Sequence, residues 1–103
     1  MTADSSPRIR PEDEVAELCA DLIRIPSVNY GDHADPGERE AADYLVGRLQ
    51  EVGLDPVLVE SQPGRASLMV RIEGADPSRP GLVVHGHTDV VPAHAPDWQV
   101  DPF

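Results

Sequence analysis

The amino-acid sequence predicts an α/β fold that begins with two helices and continues with three strands. Two stretches with apolar residues at helical spacing come first, within residues 11–25 and 37–52. Short apolar runs rich in β-branched residues follow, and turns containing glycine and proline separate them. No repeat or linker divides the 103 residues. We therefore expect one folded region over residues 11–103, preceded by a mobile tail at residues 1–10.

The first helix is predicted to begin at Pro11 and to end before Pro26. Proline suits the first helical position, and the acidic residues 12–14 favour the positive end of the helix dipole. The residue before a proline is disfavoured in a helix, which sets the end. One apolar stripe is expected to be buried, and it consists of Val15, Leu18, Cys19, Leu22 and Ile23. The single cysteine, Cys19, is interpreted as a small buried hydrophobic residue, and it excludes an internal disulfide.

The second helix is predicted over about residues 37–52, with Gly53 as the left-handed residue after its last turn. Its buried stripe is expected to contain Ala42, Leu45, Val46, Leu49 and Val52. The loop before it, residues 27–36, contains Asp32, His33 and Asp35. Polar residues are common in loops because their backbone needs water, so a solvated loop is favoured over a second metal cluster.

Three strands are predicted after the helices. Residues 56–60 and 67–73 are expected to pair as an antiparallel hairpin, because the connection that contains Gly64 is short. Residues 81–85 are expected to form the third strand, and the apolar run at residues 82–84 is typical of a strand buried on both faces. The carboxyl end of such a central strand is where open α/β sheets bind their ligands.

The charge balance excludes two classes of partner. The chain has 19 acidic residues and 8 basic residues, all arginine, for a formal net charge of −11. Binding to nucleic acid or to an anionic membrane depends on clustered positive charge, so neither is an expected partner. The opening residues lack the apolar core of a secretory signal, and no apolar run is long enough to cross a bilayer. The expected location is cytoplasmic.

The residues with the clearest chemistry follow the third predicted strand, in the run His85-Gly-His87-Thr-Asp89-Val-Val-Pro92. Alternate residues of a strand project to one side, so His85, His87 and Asp89 are expected to share a face. A metal-binding imidazole usually donates its second ring N–H to a carboxylate, which fixes its orientation. The pattern therefore suits a metal site but does not complete one, since a catalytic zinc site has about three protein ligands.

This run resembles the first metal-binding motif of the M20 family of metallohydrolases, which includes aminoacylases, succinyl-diaminopimelate desuccinylase and acetylornithine deacetylase. Trp98 with residues 101–103, and residues 22–28, also resemble that family. Position by position, the resemblance implies that His87 is a metal ligand and that Asp89 is the catalytic carboxylate. It also implies a mixed-sheet, zinc-peptidase-like catalytic domain, here truncated after its third strand.

The resemblance further implies a hydrolase with two zinc ions, replaceable by cobalt or manganese, that cleaves an amide bond of a small peptide or an N-acyl amino acid. The remaining ligands and the general base would lie beyond Phe103. We therefore expect an amino-terminal fragment that is inactive alone, and a possible homodimer formed through a downstream domain. The alternative is a non-catalytic binding or regulatory remnant of the same fold. The residues leave open the substrate and the choice between peptidase and deacylase.

Three further residues near the motif are not interpreted as metal ligands or as catalytic residues. His85 is interpreted as a packing residue or a neighbour of the ligand, because the matching family position is not a ligand. His94 lies between prolines and is expected in a surface loop. Trp98 is expected to pack its indole against the sheet.

Overall fold

The computed structural model describes residues 10–31 and 37–103. The predicted tail, except for Arg10, and the loop residues 32–36, which include His33, lie outside the described residues. The described elements are α1 (Pro11–Arg24), α2 (Arg39–Glu51), β1 (Val57–Gln62), β2 (Arg65–Met69) and a short 3-10 turn (Ala95–Asp97). Neither helix among these residues is long and apolar enough to cross a membrane.

Helix α1 has the predicted bounds but not the predicted burial. It begins at Pro11, and the backbone N–H of Asp13 donates to the Arg10 carbonyl at 2.9 Å. None of its residues is buried: Val15 is 59% exposed and Cys19 is exposed. The prediction of a buried Cys19 is therefore wrong. The reason is physical: an amphipathic stripe is buried only where another element covers it, and the described elements cover this one only in part.

Helix α2 anchors the packed part of the chain. Ala41 and Ala42 are each 1% exposed, and the helix packs on the β1–β2 hairpin. Gly53 adopts a φ of +81° just after the helix, and its N–H donates to the Gln50 carbonyl at 3.0 Å. The predicted left-handed glycine is confirmed.

The hairpin pairs β1 and β2 in antiparallel register, with Val57 opposite Met69 and an irregularity between Glu60 and Gln62. Its turn meets the start of α2. The backbone N–H of Glu38 donates to the Gly64 carbonyl at 2.8 Å, and Arg65 Nη1 lies 2.6 Å from Glu38 Oε1 in a mostly buried ion pair. The predicted hairpin is confirmed, although β2 ends at Met69 and not at residue 73.

The third predicted strand is not confirmed. Residues 81–85 form no ladder with any described residue, and Leu82, Val83 and Val84 are 84–89% exposed. Residues 70–77 and 79–84 line one cavity of about 850 Å³ instead of pairing. A strand needs a hydrogen-bonded neighbour, and one buried on both faces also needs cover on both. The described residues provide neither for this run, so it remains unpaired and open to solvent.

A parallel bridge joins the loop after α1 to the predicted motif. Val28 pairs with Val90, with the Asn29 N–H donating to the Val90 carbonyl at 2.8 Å and the Val90 N–H donating to the Ser27 carbonyl at 3.0 Å. The Ser27 hydroxyl also donates to the Thr88 carbonyl at 2.7 Å. Ser27 and Val28 are only 2% and 4% exposed. We call residues 27–29 together with residues 88–90 the loop bridge.

Candidate functional site

Three residues of the loop bridge, Asn29, Asp89 and Val90, help to line an open depression of about 430 Å³. The depression is lined by Asn29, His87, Asp89, Val90 and Val91. It therefore contains both residues that the sequence singled out, although they follow an irregular segment and not a strand. The two valines form an apolar wall, and Asn29, His87 and Asp89 contribute the polar groups.

His87 is held by Asp89 through one ring nitrogen. Its Nδ1 lies 3.0 Å from Asp89 Oδ1 and 2.9 Å from the Asp89 carbonyl oxygen. A backbone carbonyl only accepts hydrogen bonds, so Nδ1 must carry the proton in this arrangement. We infer that neutral His87 leaves the lone pair on Nε2, the nitrogen that is then able to bind a metal ion.

The His87 side chain is open to solvent while its partner is partly enclosed. The His87 side chain is 84% exposed and that of Asp89 is 34% exposed. No described residue bonds to Nε2, so this nitrogen is accessible. The arrangement matches a metal-binding imidazole whose second nitrogen is oriented by a carboxylate. The described residues contain no group of three or more His, Cys, Asp or Glu side chains that could hold an ion. The described residues therefore fit a metal ion only by contributing one of its ligands, His87.

Asn29 belongs to the site and was missed by the sequence analysis. Its Nδ2 donates to Asp89 Oδ2 at 2.9 Å. This bond is the main reason that the pKa of Asp89 lies below its usual value, and the bond to His87 adds to the effect while partial burial opposes it. Asn29 directly follows the run 22–28 that resembles the family opening, but it lies 60 residues from Asp89. No local pattern joins the two positions.

The other residues near the motif take no part in the site. His85 is exposed and does not line the depression. His94 lies in the surface turn that was expected, with Nδ1 3.3 Å from Asp97 Oδ2. Trp98 is 55% exposed, so the predicted packing of its indole on the sheet is wrong. Indole burial requires a surface to pack on, and the third strand of the predicted sheet, residues 81–85, is itself solvent-exposed.

Comparisons with characterised proteins identify relatives over most of the chain. Aminoacylase-1 of Dictyostelium discoideum is 33% identical over 92 residues, which cover 89% of this chain and 21% of the relative. Succinyl-diaminopimelate desuccinylase of Methylobacterium sp. (strain 4-46) is 42% identical over 91 residues, covering 84% of this chain and 21% of the relative. Mouse aminoacylase-1 is 33% identical over 69 residues, which cover 67% of this chain and 17% of the relative.

The chain thus spans about a fifth of the length of the curated relatives that it matches. No family model matches the sequence. No solved structure matches it either.

Proposed function

The chain belongs to the M20 family of metallohydrolases, and on that premise we propose that it contributes His87 and Asp89 to an active site that hydrolyses an amide bond. The observation that supports this proposal is the hydrogen bond from Nδ1 of His87 to Asp89, at 3.0 Å, which leaves Nε2 accessible. The relatives named above are amide hydrolases by name, and they cover most of the chain.

In this proposal each residue has a distinct part. His87 binds a divalent metal ion through Nε2, and Asp89 is the catalytic carboxylate that holds the imidazole in the required tautomer. Both hydrogen bonds of Nδ1 go to Asp89, so they orient the imidazole ring without a bound metal ion. A metal ion bound there would polarise the scissile carbonyl and make a bound water more acidic. Zinc is proposed, with cobalt or manganese as alternatives, because imidazole and carboxylate ligands accept all three.

The rest of the site would come from residues outside the depression. Among the described residues Asp89 is the one carboxylate that lines it, and each of its oxygens accepts a hydrogen bond. The bond from Asn29 lowers the pKa of Asp89, so this carboxylate is a weak base toward the proton of an attacking water. We propose that further ligands and the general base are supplied by other parts of a larger catalytic domain, in which residues 81–85 pair as a strand of a mixed sheet. The chain by itself would then not hydrolyse substrate.

The proposed substrate is an N-acyl amino acid, an N-succinylated amine or a small peptide. The first two follow the names of the relatives, aminoacylase and succinyl-diaminopimelate desuccinylase. The apolar wall of Val90 and Val91 lies next to His87 and suits the methylene groups of such a substrate. Dimerisation through another domain is also a prediction of the family assignment.

The test is hydrolysis of a panel of these three substrate types by the full-length protein and two histidine variants. His87→Ala should lower turnover by roughly 100-fold or more, since changing even a residue that orients a metal ligand typically costs 10–100-fold. His94→Ala is the matched control, because His94 is also exposed and paired with an aspartate but lies outside the depression. Equal turnover of His87→Ala and His94→Ala would contradict the proposal. Binding of these compounds without hydrolysis by the full-length protein would favour a non-catalytic module instead.

A further inference from the structure

Three hydrogen bonds hold Asn29 at the edge of the candidate site. Its backbone N–H donates to the Val90 carbonyl at 2.8 Å, and its Oδ1 accepts from the Gly31 N–H at 2.8 Å. Because the side-chain oxygen accepts from the loop, the planar amide turns its NH₂ group toward Asp89, where Nδ2 donates to Oδ2 at 2.9 Å. The direction of the amide is thus set by the loop and not by Asp89.

The two oxygens of Asp89 are divided between two partners. Oδ2 accepts from Asn29 and Oδ1 accepts from His87 Nδ1. The terminal torsion of an aspartate is broad, so a carboxylate with one partner can swing its plane away from that partner. Two donors on opposite oxygens remove this freedom. The position of Oδ1 in front of the imidazole therefore depends on the bond from Asn29.

We propose that Asn29 is a positioning residue that fixes the Asp89 carboxylate, so that His87 keeps its proton on Nδ1 and presents an unprotonated Nε2 to the metal ion. The metal-binding part of this inference rests on the proposed function. The effect of Asn29 on the tautomer rests on the hydrogen bonds alone, and it adds to that of the Asp89 backbone carbonyl, which also accepts from Nδ1.

The opposing interpretation is that Asn29 only ties down the loop after α1. Two variants separate the two roles. Asn29→Asp keeps an oxygen that can accept from the Gly31 N–H, but it replaces the donor to Asp89 with a second carboxylate. Ser27→Ala loosens the same loop bridge by removing the bond from the hydroxyl to the Thr88 carbonyl, and it leaves both partners of Asp89 in place.

The experiment has two readouts on the full-length protein. The first is heteronuclear NMR of the His87 ring nitrogens without metal, at a pH where the imidazole is neutral. We expect the Nδ1–H tautomer in the wild-type protein and in Ser27→Ala, and a measurably larger share of the Nε2–H tautomer in Asn29→Asp and Asn29→Ala, where the Asp89 backbone carbonyl is the acceptor that still holds the proton on Nδ1. The second is a zinc titration, in which both Asn29 variants should bind roughly tenfold more weakly and Ser27→Ala should bind nearly as the wild type does.

The outcomes distinguish this inference from the proposed function. An unchanged tautomer in both Asn29 variants would overturn the inference, even if His87→Ala still weakened zinc binding. A tautomer that shifts equally in Ser27→Ala and Asn29→Asp would also overturn it, because the effect would then come from the loop. If His87→Ala left zinc binding unchanged while Asn29→Asp still shifted the tautomer, the positioning role would hold and the proposed metal role of His87 would fail.

Discussion

The strongest prediction about how this fold supports the candidate site concerns the loop bridge. Ser27 is 2% exposed and its hydroxyl donates to the Thr88 carbonyl at 2.7 Å, one residue before Asp89. Replacing Ser27 with alanine removes a bond with a net value of about 1 kcal/mol and leaves a carbonyl unpaired, which costs about 1–3 kcal/mol when water cannot reach it. Thr88 is half-buried, so water can reach it in part. We therefore expect Ser27→Ala to destabilise the bridge by about 1–2 kcal/mol.

The assay is native-state hydrogen exchange at two amides inside the bridge. The N–H groups of Asn29 and Val90 both donate across it, so their exchange measures its opening. A loss of about 1–2 kcal/mol corresponds to exchange that is faster by about 5- to 30-fold. Ser67→Ala is the control, since Ser67 is an exposed residue of β2 and its change should stay within about 0.5 kcal/mol. The same exchange rates at Asn29 and Val90 in both variants would refute the argument.

Three further predictions follow from other parts of the fold. Gly37→Ala should destabilise the protein by about 1–3 kcal/mol more than Gly53→Ala in chemical denaturation, because both glycines have positive φ but only a Cβ at Gly37 would overlap a neighbouring backbone carbonyl. Equal losses would contradict this. The Tyr44 O–H donates to Asp21, which raises the pKa of Tyr44 above its usual value. The link between the helices is therefore present below the usual pKa and is lost as the pH rises through the raised one. Asp21→Asn should lower that pKa in a phenolate absorbance titration, and an unchanged value would argue against the bond. Val83 is 84% exposed in an unpaired apolar run, so the 103-residue chain should self-associate and Val83→Lys should reduce this in sedimentation. A monomeric wild-type chain with sharp two-state unfolding would count against it.

Features encoded by neighbouring residues were predictable from the sequence. Pro11 fixes the start of α1, and Gly53 ends the turn after α2. The close approach of His87 and Asp89 also follows from their spacing of two residues, and it survives even though the expected strand does not form. Such contacts need only the local backbone, which sequence patterns describe well.

Features that depend on distant partners were not predictable. The run 81–85 has the composition of a buried strand, but composition cannot supply the neighbouring strand that such a run requires. Asn29 reaches Asp89 only because the bridge between Val28 and Val90 brings two segments together. The exposed Cys19 has the same explanation, since an apolar stripe shows where a helix can pack and not what packs there.

The central claim is that Nε2 of His87 binds a divalent metal ion while Asp89 holds the other ring nitrogen. The most direct measurement is cadmium NMR of the full-length protein loaded with cadmium as a zinc substitute and labelled at its histidine ring nitrogens. We predict a scalar coupling between the bound cadmium and His87 Nε2, with Nδ1 protonated, and no coupling to His94. A bound cadmium ion with no coupling to either nitrogen of His87 would contradict the account.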